Sequence, residues 1–351
     1  MNFHRILPAA ALGALSLLFA SPGVGASVPG MPPAAPAYPP EQFQGRDYRD
    51  AREVAGRFGF TTQWLVRGKS LRLQSRWTRI DLTVDSQEIL INDLHVHLSE
   101  PVAGDHGTLY ISQGDVTTLL TPVLAPQVAS PPPVPRTVVI DPGHGGNDHG
   151  NENERLKLSE KVFTLDVAKR LARLLTADGF RVVMTRTDDR RVELDDRTEI
   201  ARKAKADLFV SIHFNSFTQP GVAGAETYVM TPRNERSSPQ PERDKAMMKT
   251  GYPGNGFDHW NMVLGYQMHR ELIDGLHAAD RGLKRFRYLV LRMCACPAVL
   301  VEAGFLSNET EGRKVNTPAY RQQIAEAIGS GVNAYAATIK RLRSTGQGTP
   351  D

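Results

Sequence analysis

Cysteine is nearly absent from this 351-residue chain, which contains only Cys294 and Cys296. One residue separates them, so in an extended strand both side chains would lie on one face, about 7 Å apart at a rise of ~3.3 Å per residue. That spacing is at or beyond the limit for a comfortable disulfide, and it favours a buried apolar pair. The sequence therefore offers no disulfide framework to hold the fold together.

Long apolar runs and one-sided charge are also missing. After residue 26 no stretch is long enough to span a membrane. The formal net charge is only +4, and no basic run with interleaved aromatic residues supports nucleic-acid binding. No heptad pattern demands an oligomer, so we expect a monomer. The small positive charge fits an anionic cell-wall polymer as partner, and it fits equally a basic protein without such a partner.

The N-terminus combines Arg5, an apolar run from Ile6 to Ala20, and the small residues of the segment Val24–Ala26. This layout is typical of a cleaved signal peptide. A membrane anchor is the alternative, but the run contains Pro8 and is shorter than the ~20 residues that span a bilayer. We therefore predict that residues 1–26 are a signal peptide and that the protein is exported to the periplasm or cell envelope.

Two proline-rich stretches divide the rest of the chain, because such compositions favour extended spacers over a packed core. The predicted units are a linker at 27–44, a small β-rich domain at 45–125, a second linker at 126–136, a larger domain at 137–343, and a flexible tail at 344–351. Alternating runs in the small domain indicate half-buried antiparallel strands. The larger domain alternates strands with helices, which predicts an α/β sheet with helices on both faces.

Metal-competent side chains follow three predicted strands of the larger domain. His144 lies just beyond TVVID, His213 ends LFVSI, and Glu302 ends AVLV. Ligands of open α/β sheets bind outside the carboxyl ends of the strands. We expect Glu160, which opens the long helix, to lean over the same edge. Two histidines and one carboxylate are a common ligand set of catalytic zinc, so His144, Glu160 and His213 are the candidate ligands. Glu302 is the candidate for proton transfer.

Three further polar residues lie near these candidates in the sequence. Asp141 is the candidate acceptor that orients His144. Asn215, two residues after His213, either faces the cleft or caps a turn, and the two interpretations are equally supported. His149 is close enough to be mistaken for a ligand, but we expect it in an exposed loop.

Five segments together resemble a known enzyme family, and they are DPGHGGNDHGN, LSEKVFTLDVAKRLARLL, ELDDRTEIARKAKADLFVSIHFNS, GAETYV and PAVLVEAGFLSN. They look like the successive motifs of the zinc-dependent N-acetylmuramoyl-L-alanine amidases of the cell-separation type, the amidase_3 family. The resemblance covers residues 138 to about 336. It implies a twisted, mostly parallel sheet flanked by helices. It also implies one zinc ion bound by His144, Glu160 and His213, with Glu302 as catalytic base.

The resemblance implies a hydrolase that cuts the amide between N-acetylmuramic acid and the L-alanine of the peptidoglycan stem peptide, in wall remodelling or cell separation. A zinc carboxypeptidase or endopeptidase and a non-catalytic wall-binding protein are the alternatives, since fold alone does not fix function. Some family members carry a self-blocking helix near the place of residues 232–257 here. Whether this chain is self-inhibited, or needs an activator protein, stays open at this point.

The small β-rich domain shows no catalytic constellation. His95 and His97 lie on one face of a predicted strand, but without a third ligand nearby we predict no metal site there. The domain weakly resembles the small β-rich domains that precede catalytic domains in several cell-wall enzymes. A role in attachment to the wall is therefore an expectation for this region.

Overall fold

The computed structural model describes residues 41–238 and 246–345. The predicted signal peptide and most of the first linker lie outside the described residues, as do residues 239–245 of the polar loop and 346–351 of the tail. All of the described residues fall in one compact unit. Within them, no helix has the length and apolar character needed to cross a membrane.

The described residues form seventeen strands and nine α-helices, joined by short turns of other helix types. The strands are β1 (Glu41–Phe43), β2 (Arg46–Asp50), β3 (Thr61–Val66), β4 (Ser70–Gln74), β5 (Arg79–Thr83), β6 (Glu88–Ile91), β7 (Leu94–His97), β8 (Ala103–Asp105), β9 (Thr108–Ser112), β10 (Thr137–Pro142), β11 (Glu152–Asn153), β12 (Leu158–Ser159), β13 (Arg181–Met184), β14 (Leu208–Asn215), β15 (Ala225–Val229), β16 (Asp280–Arg285) and β17 (Ala298–Phe305). The helices are α1 (Ala51–Arg57), α2 (Gln113–Asp115), α3 (Thr121–Leu124), α4 (Glu160–Ala177), α5 (Leu194–Ala204), α6 (Asp258–Leu276), α7 (Leu289–Arg292), α8 (Glu309–Val315) and α9 (Pro318–Thr345).

Eleven of these strands form one mixed sheet in the order β13-β10-β14-β17-β15-β16-β7-β6-β5-β4-β3. Strands β13, β10, β14 and β17 run parallel to one another, and β15 runs antiparallel to β17. Strand β16 is parallel to both β15 and β7. From β7 to β3 each neighbouring pair is antiparallel. The predicted α/β sheet flanked by helices is confirmed.

The parallel strands are apolar on both faces because helices cover both. Every residue of β10 and β17 is buried, as expected for central strands of a sheet with two helical layers. On one face, helix α9 packs against both α4 and α6. Helices α5 and α7 contribute to a second apolar cluster, with side chains from β10, β14 and β17, on the other face.

The small region at residues 45–125 contributes five strands to this same sheet. Leu71 and Ile80 are buried, while Arg72 and Asp81 next to them are only partly buried, so the predicted alternation is confirmed. The buried face joins the same apolar core as Val301 of β17. The other strands of this region, together with β1 just before it, form a separate four-stranded sheet in the order β1-β2-β9-β8. The division into two domains stays a prediction, and the regions on its two sides share one sheet and one core.

Strand β16 was not foreseen in the sequence, which reads DRGLKR and carries charge at four of six positions. Tertiary ion pairs explain its burial. Lys284 pairs with Glu226, and Arg285 pairs with Asp115. Local pattern does not reveal such partners, because they lie far away in sequence. The expectation for the two cysteines is confirmed, since both are free and buried, with their sulfur atoms 3.4 Å apart.

Candidate active site

The site begins in the turn that follows β10. His144 has a φ of +62°, in the left-handed region, and lies in this turn at the edge of the sheet. Two glycines leave room for the rings. A Cβ on Gly143 would lie 2.2 Å from the ring of His213. A Cβ on Gly150 would lie 2.6 Å from Glu160 and from His144. Only glycine allows the backbone to approach these side chains so closely.

Glu160 connects the two histidines. Its carboxylate is fully buried at the first residue of α4. One oxygen, Oε2, lies 3.1 Å from His144 Nε2, and the other, Oε1, lies 2.9 Å from His213 Nδ1. Backbone N–H groups of Asn151 and Phe214 donate to the same two oxygens. The carboxylate is thereby fixed between the two rings, whose centroids are 5.0 Å apart.

The charges of this group depend on one another. Burial alone would raise the pKa of Glu160, but hydrogen bonds from His144 and His213 hold that pKa well below its usual range. Burial would lower the pKa of His144, and its bonds to Glu160 and Asp148 raise it instead. Glu160 is therefore an anion, which is the state in which a carboxylate binds a metal.

His144, Glu160 and His213 fit a metal ion. Each can present one ligand atom, and these atoms lie within 4.8 Å of one another. Both histidines are partly exposed while Glu160 is buried, so one side of the cluster is open. Two imidazoles, one carboxylate and an open position are the composition of a catalytic zinc site. Among the described residues no second group of three such side chains meets the same distance.

Glu302 lies beside this cluster. It pairs in register with His213 across β14 and β17. Its side chain is nearly buried, and its Oε2 atom has no hydrogen-bond partner among the described residues. Burial raises the pKa of Glu302 well above its usual value, and the nearby charges of Glu160 and Glu226 raise it further. A buried oxygen without a partner is rare in a folded protein and indicates a group that meets a ligand.

A polar chain continues from Glu302 across the neighbouring strands. Glu226 of β15 is the register partner of Glu302. Its carboxylate accepts hydrogen bonds from Lys284 at 2.7 Å, Arg281 at 3.0 Å and Asn215 at 3.1 Å. Asn215 therefore lies at the same edge as Glu302, and whether it contacts substrate remains a prediction.

The contact expected from Asp141 to His144 is made by Asp148 instead. Asp148 Oδ1 lies 2.9 Å from His144 Nδ1. Asp141 is buried within the sheet, where it accepts hydrogen bonds from Arg197 at 2.7 Å and from Ser211 at 2.8 Å. The expected contact fails because Asp141 still belongs to β10, where its side chain points into the fold, whereas Asp148 follows the turn and returns to His144.

Two buried arginines that the sequence did not single out support this turn. Arg197 donates to the backbone oxygens of His144 and Pro142. Arg186 donates to the oxygens of Pro142 and Gly143. Burial lowers the pKa of Arg186 to about 10, helped by the nearby charge of Arg197. Arg186 follows β13, and Arg197 lies near the start of α5. Arginines at such positions are commonly exposed, so the sequence alone does not predict that these two are buried.

His149 is half-exposed, and its Nδ1 atom lies 2.9 Å from Glu152. It is not a member of the cluster of His144, Glu160 and His213. His95 and His97 of β7 are not members either, and both lie close to Glu88 on the adjacent antiparallel strand β6.

Comparison with known proteins gives consistent results. The family model described as N-acetylmuramoyl-L-alanine amidase (amidase_3) matches residues 138–334. The chain is 34% identical over 222 residues to the N-acetylmuramoyl-L-alanine amidase AmiA of Escherichia coli strain K12, covering 57% of this chain and 76% of that protein. It is 36% identical over 225 residues to the probable N-acetylmuramoyl-L-alanine amidase AmiB of Haemophilus influenzae, covering 57% of this chain and only 52% of that protein. Among solved structures, an N-acetylmuramoyl-L-alanine amidase from Clostridium difficile 630 is 32% identical with a TM-score of 0.49, covering 58% of this chain and 98% of that one.

Proposed function

This chain belongs to the N-acetylmuramoyl-L-alanine amidase family, and from that premise we propose that it is an exported, zinc-dependent amidase of peptidoglycan. It hydrolyses the amide between the lactyl group of N-acetylmuramic acid and the L-alanine of the stem peptide, in wall remodelling that includes cell separation. The observation that carries the proposal is the cluster of His144, Glu160 and His213 with Glu302 beside it, whose Oε2 atom has no hydrogen-bond partner among the described residues.

The residues of the site have separate roles in this reaction. His144, Glu160 and His213 would hold the metal, and Asp148 fixes the ring of His144 through Nδ1. When bound, zinc would lower the pKa of a water molecule to about 7 and polarise the scissile carbonyl. Glu302 Oε2 accepts a proton from the attacking water and passes it to the leaving nitrogen of L-alanine. The products are a glycan without that peptide and a free stem peptide.

A peptidase that uses the same metal chemistry is the second candidate. It differs in the bond it cuts, so its products would be shortened peptides that remain attached to their sugars. The match to the amidase family favours the sugar–peptide amide.

Digestion of purified peptidoglycan, with products identified by mass spectrometry, tests the proposal. We expect free stem peptides with an unblocked L-alanine amino terminus, whose release stops with a chelator and resumes with added zinc. The Glu302→Gln variant is the paired control and should release about 10²- to 10⁴-fold less. Shortened peptides still on their sugars would establish the peptidase instead. Protein that sediments with the wall and releases nothing would support a binding protein, unless adding an activator protein or removing residues 232–257 restores release.

A further inference from the structure

We propose that Arg281 binds a carboxylate of the stem peptide, namely the free α-carboxylate of its second residue, and so sets the preference of the site among stem peptides. The inference rests on the amidase function proposed above and adds a residue that selects the substrate.

Arg281 lies on the edge of the sheet that carries the candidate ligands. Strand β16 runs parallel to β15 and, like β15, begins at the edge where β14 and β17 end. The Nε atom of Arg281 donates to Glu226 Oε1 at 3.0 Å. Glu226 is in turn the register partner of Glu302. Arg281 is therefore separated from the proton-transfer carboxylate by one side chain.

The outer nitrogens of Arg281 are open. Its guanidinium lies over the ring of Phe305, 5.1 Å from the ring centre, and its side chain is 33% exposed. Within residues 41–238 and 246–345, Nε is the only nitrogen of this guanidinium with a hydrogen-bond partner. The contact with Phe305 and the bond to Glu226 hold the plane of the group, and the Nη1 and Nη2 donors stay free. A planar pair of donors is the arrangement that binds a carboxylate through two hydrogen bonds.

A purely structural role as counter-charge for Glu226 leaves this geometry unexplained. Lys284 already provides a buried positive charge, with Nζ at 2.7 Å and only 10% exposure of its side chain. The hydroxyl of Tyr228 and the amide of Asn215 donate to the other oxygen. Glu226 is thus well satisfied without Arg281, and its carboxylate instead orients the arginine.

The distance suits the second residue of the stem peptide. Neighbouring strands lie about 4.8 Å apart, so β16 is roughly 10 Å from β17, which carries Glu302. A residue adds at most about 3.5 Å along an extended chain. A carboxylate on the second residue therefore lies about 7 Å from the scissile bond, and the long side chain of Arg281 covers the remaining gap.

Two muropeptides of equal length test the inference, one with a free α-carboxylate on the second residue and one with that group amidated. With zinc-loaded wild-type protein, we expect amidation to raise KM roughly 10-fold or more, as for a lost hydrogen bond to a charged group, with little change in kcat. In Arg281→Gln, KM for the free carboxylate should rise to the value for the amide, so that the preference disappears. Arg281→Lys keeps the charge without the planar donors and should show a reduced preference.

Arg79→Gln is the matched control, because Arg79 is similarly exposed and ion-paired with Asp93 in the antiparallel half of the sheet. It should keep the full preference. Equal KM values of the wild-type protein for both muropeptides would overturn the inference and leave the amidase function intact. If zinc-loaded wild-type protein cleaves neither muropeptide, even after an activator protein is added or residues 232–257 are removed, the amidase function fails and the inference with it. The wild-type comparison needs no variant, so a folding defect in Arg281→Gln would not prevent the test.

Discussion

At one end of the eleven-stranded sheet, β10, β14 and β17 run parallel and finish at the same edge, while at the other end β3 to β7 alternate in direction. The parallel end brings His144, His213 and Glu302 together with Glu160, and it leaves a carboxylate oxygen of Glu302 without a partner. In the antiparallel half the partly buried polar side chains bind one another. Arg72 makes two hydrogen bonds to Asp81, for example.

The difference follows from strand direction. Parallel strands deliver the residues after each strand to one edge, so side chains from distant parts of the sequence converge there. Antiparallel strands joined by short turns place polar residues opposite one another on an exposed face, where they form pairs. The two halves share one core, yet among the described residues the cluster of His144, Glu160 and His213 and the unpartnered oxygen of Glu302 lie at the parallel end. The predictions below test this contrast with matched residues.

The largest effect is expected for Glu302, compared with Glu88 of the antiparallel half. Glu302→Gln should lower the release of stem peptides about 10²- to 10⁴-fold, because proton transfer is lost. Glu88 also has histidine neighbours, but Glu88→Gln should leave release unchanged. Both rates are measured on purified peptidoglycan with zinc present. Equal losses in the two variants would mean that the chemistry is not confined to the parallel end.

Replacing either of two aspartates that pair with arginine should lower the free energy of unfolding by different amounts. Asp141→Asn leaves the buried Arg197 without its counter-charge and should cost about 3–5 kcal/mol in the free energy of unfolding. Asp81→Asn breaks a pair that is much more exposed, so its cost should be clearly smaller. Denaturant unfolding of both variants gives the comparison. If Asp81→Asn costs as much as Asp141→Asn, burial does not separate the two halves as described.

Asp258, at the start of α6, is a partly buried carboxyl without a hydrogen bond from an arginine among the described residues. Burial raises its pKa to about 7, against an opposing hydrogen bond from Asn255. The folded protein therefore keeps this proton while the unfolded chain has lost it, so stability falls as pH rises from about 4 to about 7.

Asp258→Asn should remove this fall in stability with rising pH, because an amide does not ionise. We expect the variant to be more stable than the wild type at pH 8, on the order of 2–4 kcal/mol, with little difference at pH 4. Unfolding curves at the two pH values provide the measurement. A gain that is the same at both pH values would show that Asp258 does not titrate between them.

A smaller effect, on zinc affinity, is expected when one of two carboxylates in the same loop is replaced. Asp148 holds His144, and Glu152 holds the half-exposed His149. Asp148→Asn should weaken zinc affinity about 10- to 100-fold, as for other outer-shell partners of metal-bound histidine. Glu152→Gln should leave the affinity as it is. Competition with a zinc-binding dye measures both, and a loss confined to Glu152→Gln would reverse the assignment.

The sequence points to the main candidate site residues for a physical reason. His144, His213 and Glu302 each follow a run of apolar residues that reads as a buried strand, and the edge of an α/β sheet is a place where such residues meet. The resemblance to the amidase family then pointed to the same residues together with Glu160. Apolar runs and family motifs are both patterns of residues close together in the sequence.

Other features depend on contacts that local order does not reveal. Asp141 and Asp148 are nearly equidistant in sequence from His144, and the left-handed turn at His144 decides which one reaches its ring. The single sheet depends on the pairing of β16 with β7, whose residues Leu283 and Val96 are far apart in sequence. Charged residues buried by distant ion pairs, such as Arg285, give no apolar pattern to read.

Zinc stoichiometry tests the central claim most directly, because the claim is that only the parallel end of the sheet holds the metal. The purified wild-type protein, His213→Ala, and the double variant His95→Ala with His97→Ala would be compared by elemental analysis after removal of loosely bound metal. We expect one zinc per chain in the wild type and in the double variant, and none in His213→Ala. Zinc that persists in His213→Ala, or disappears from the double variant, would contradict the account.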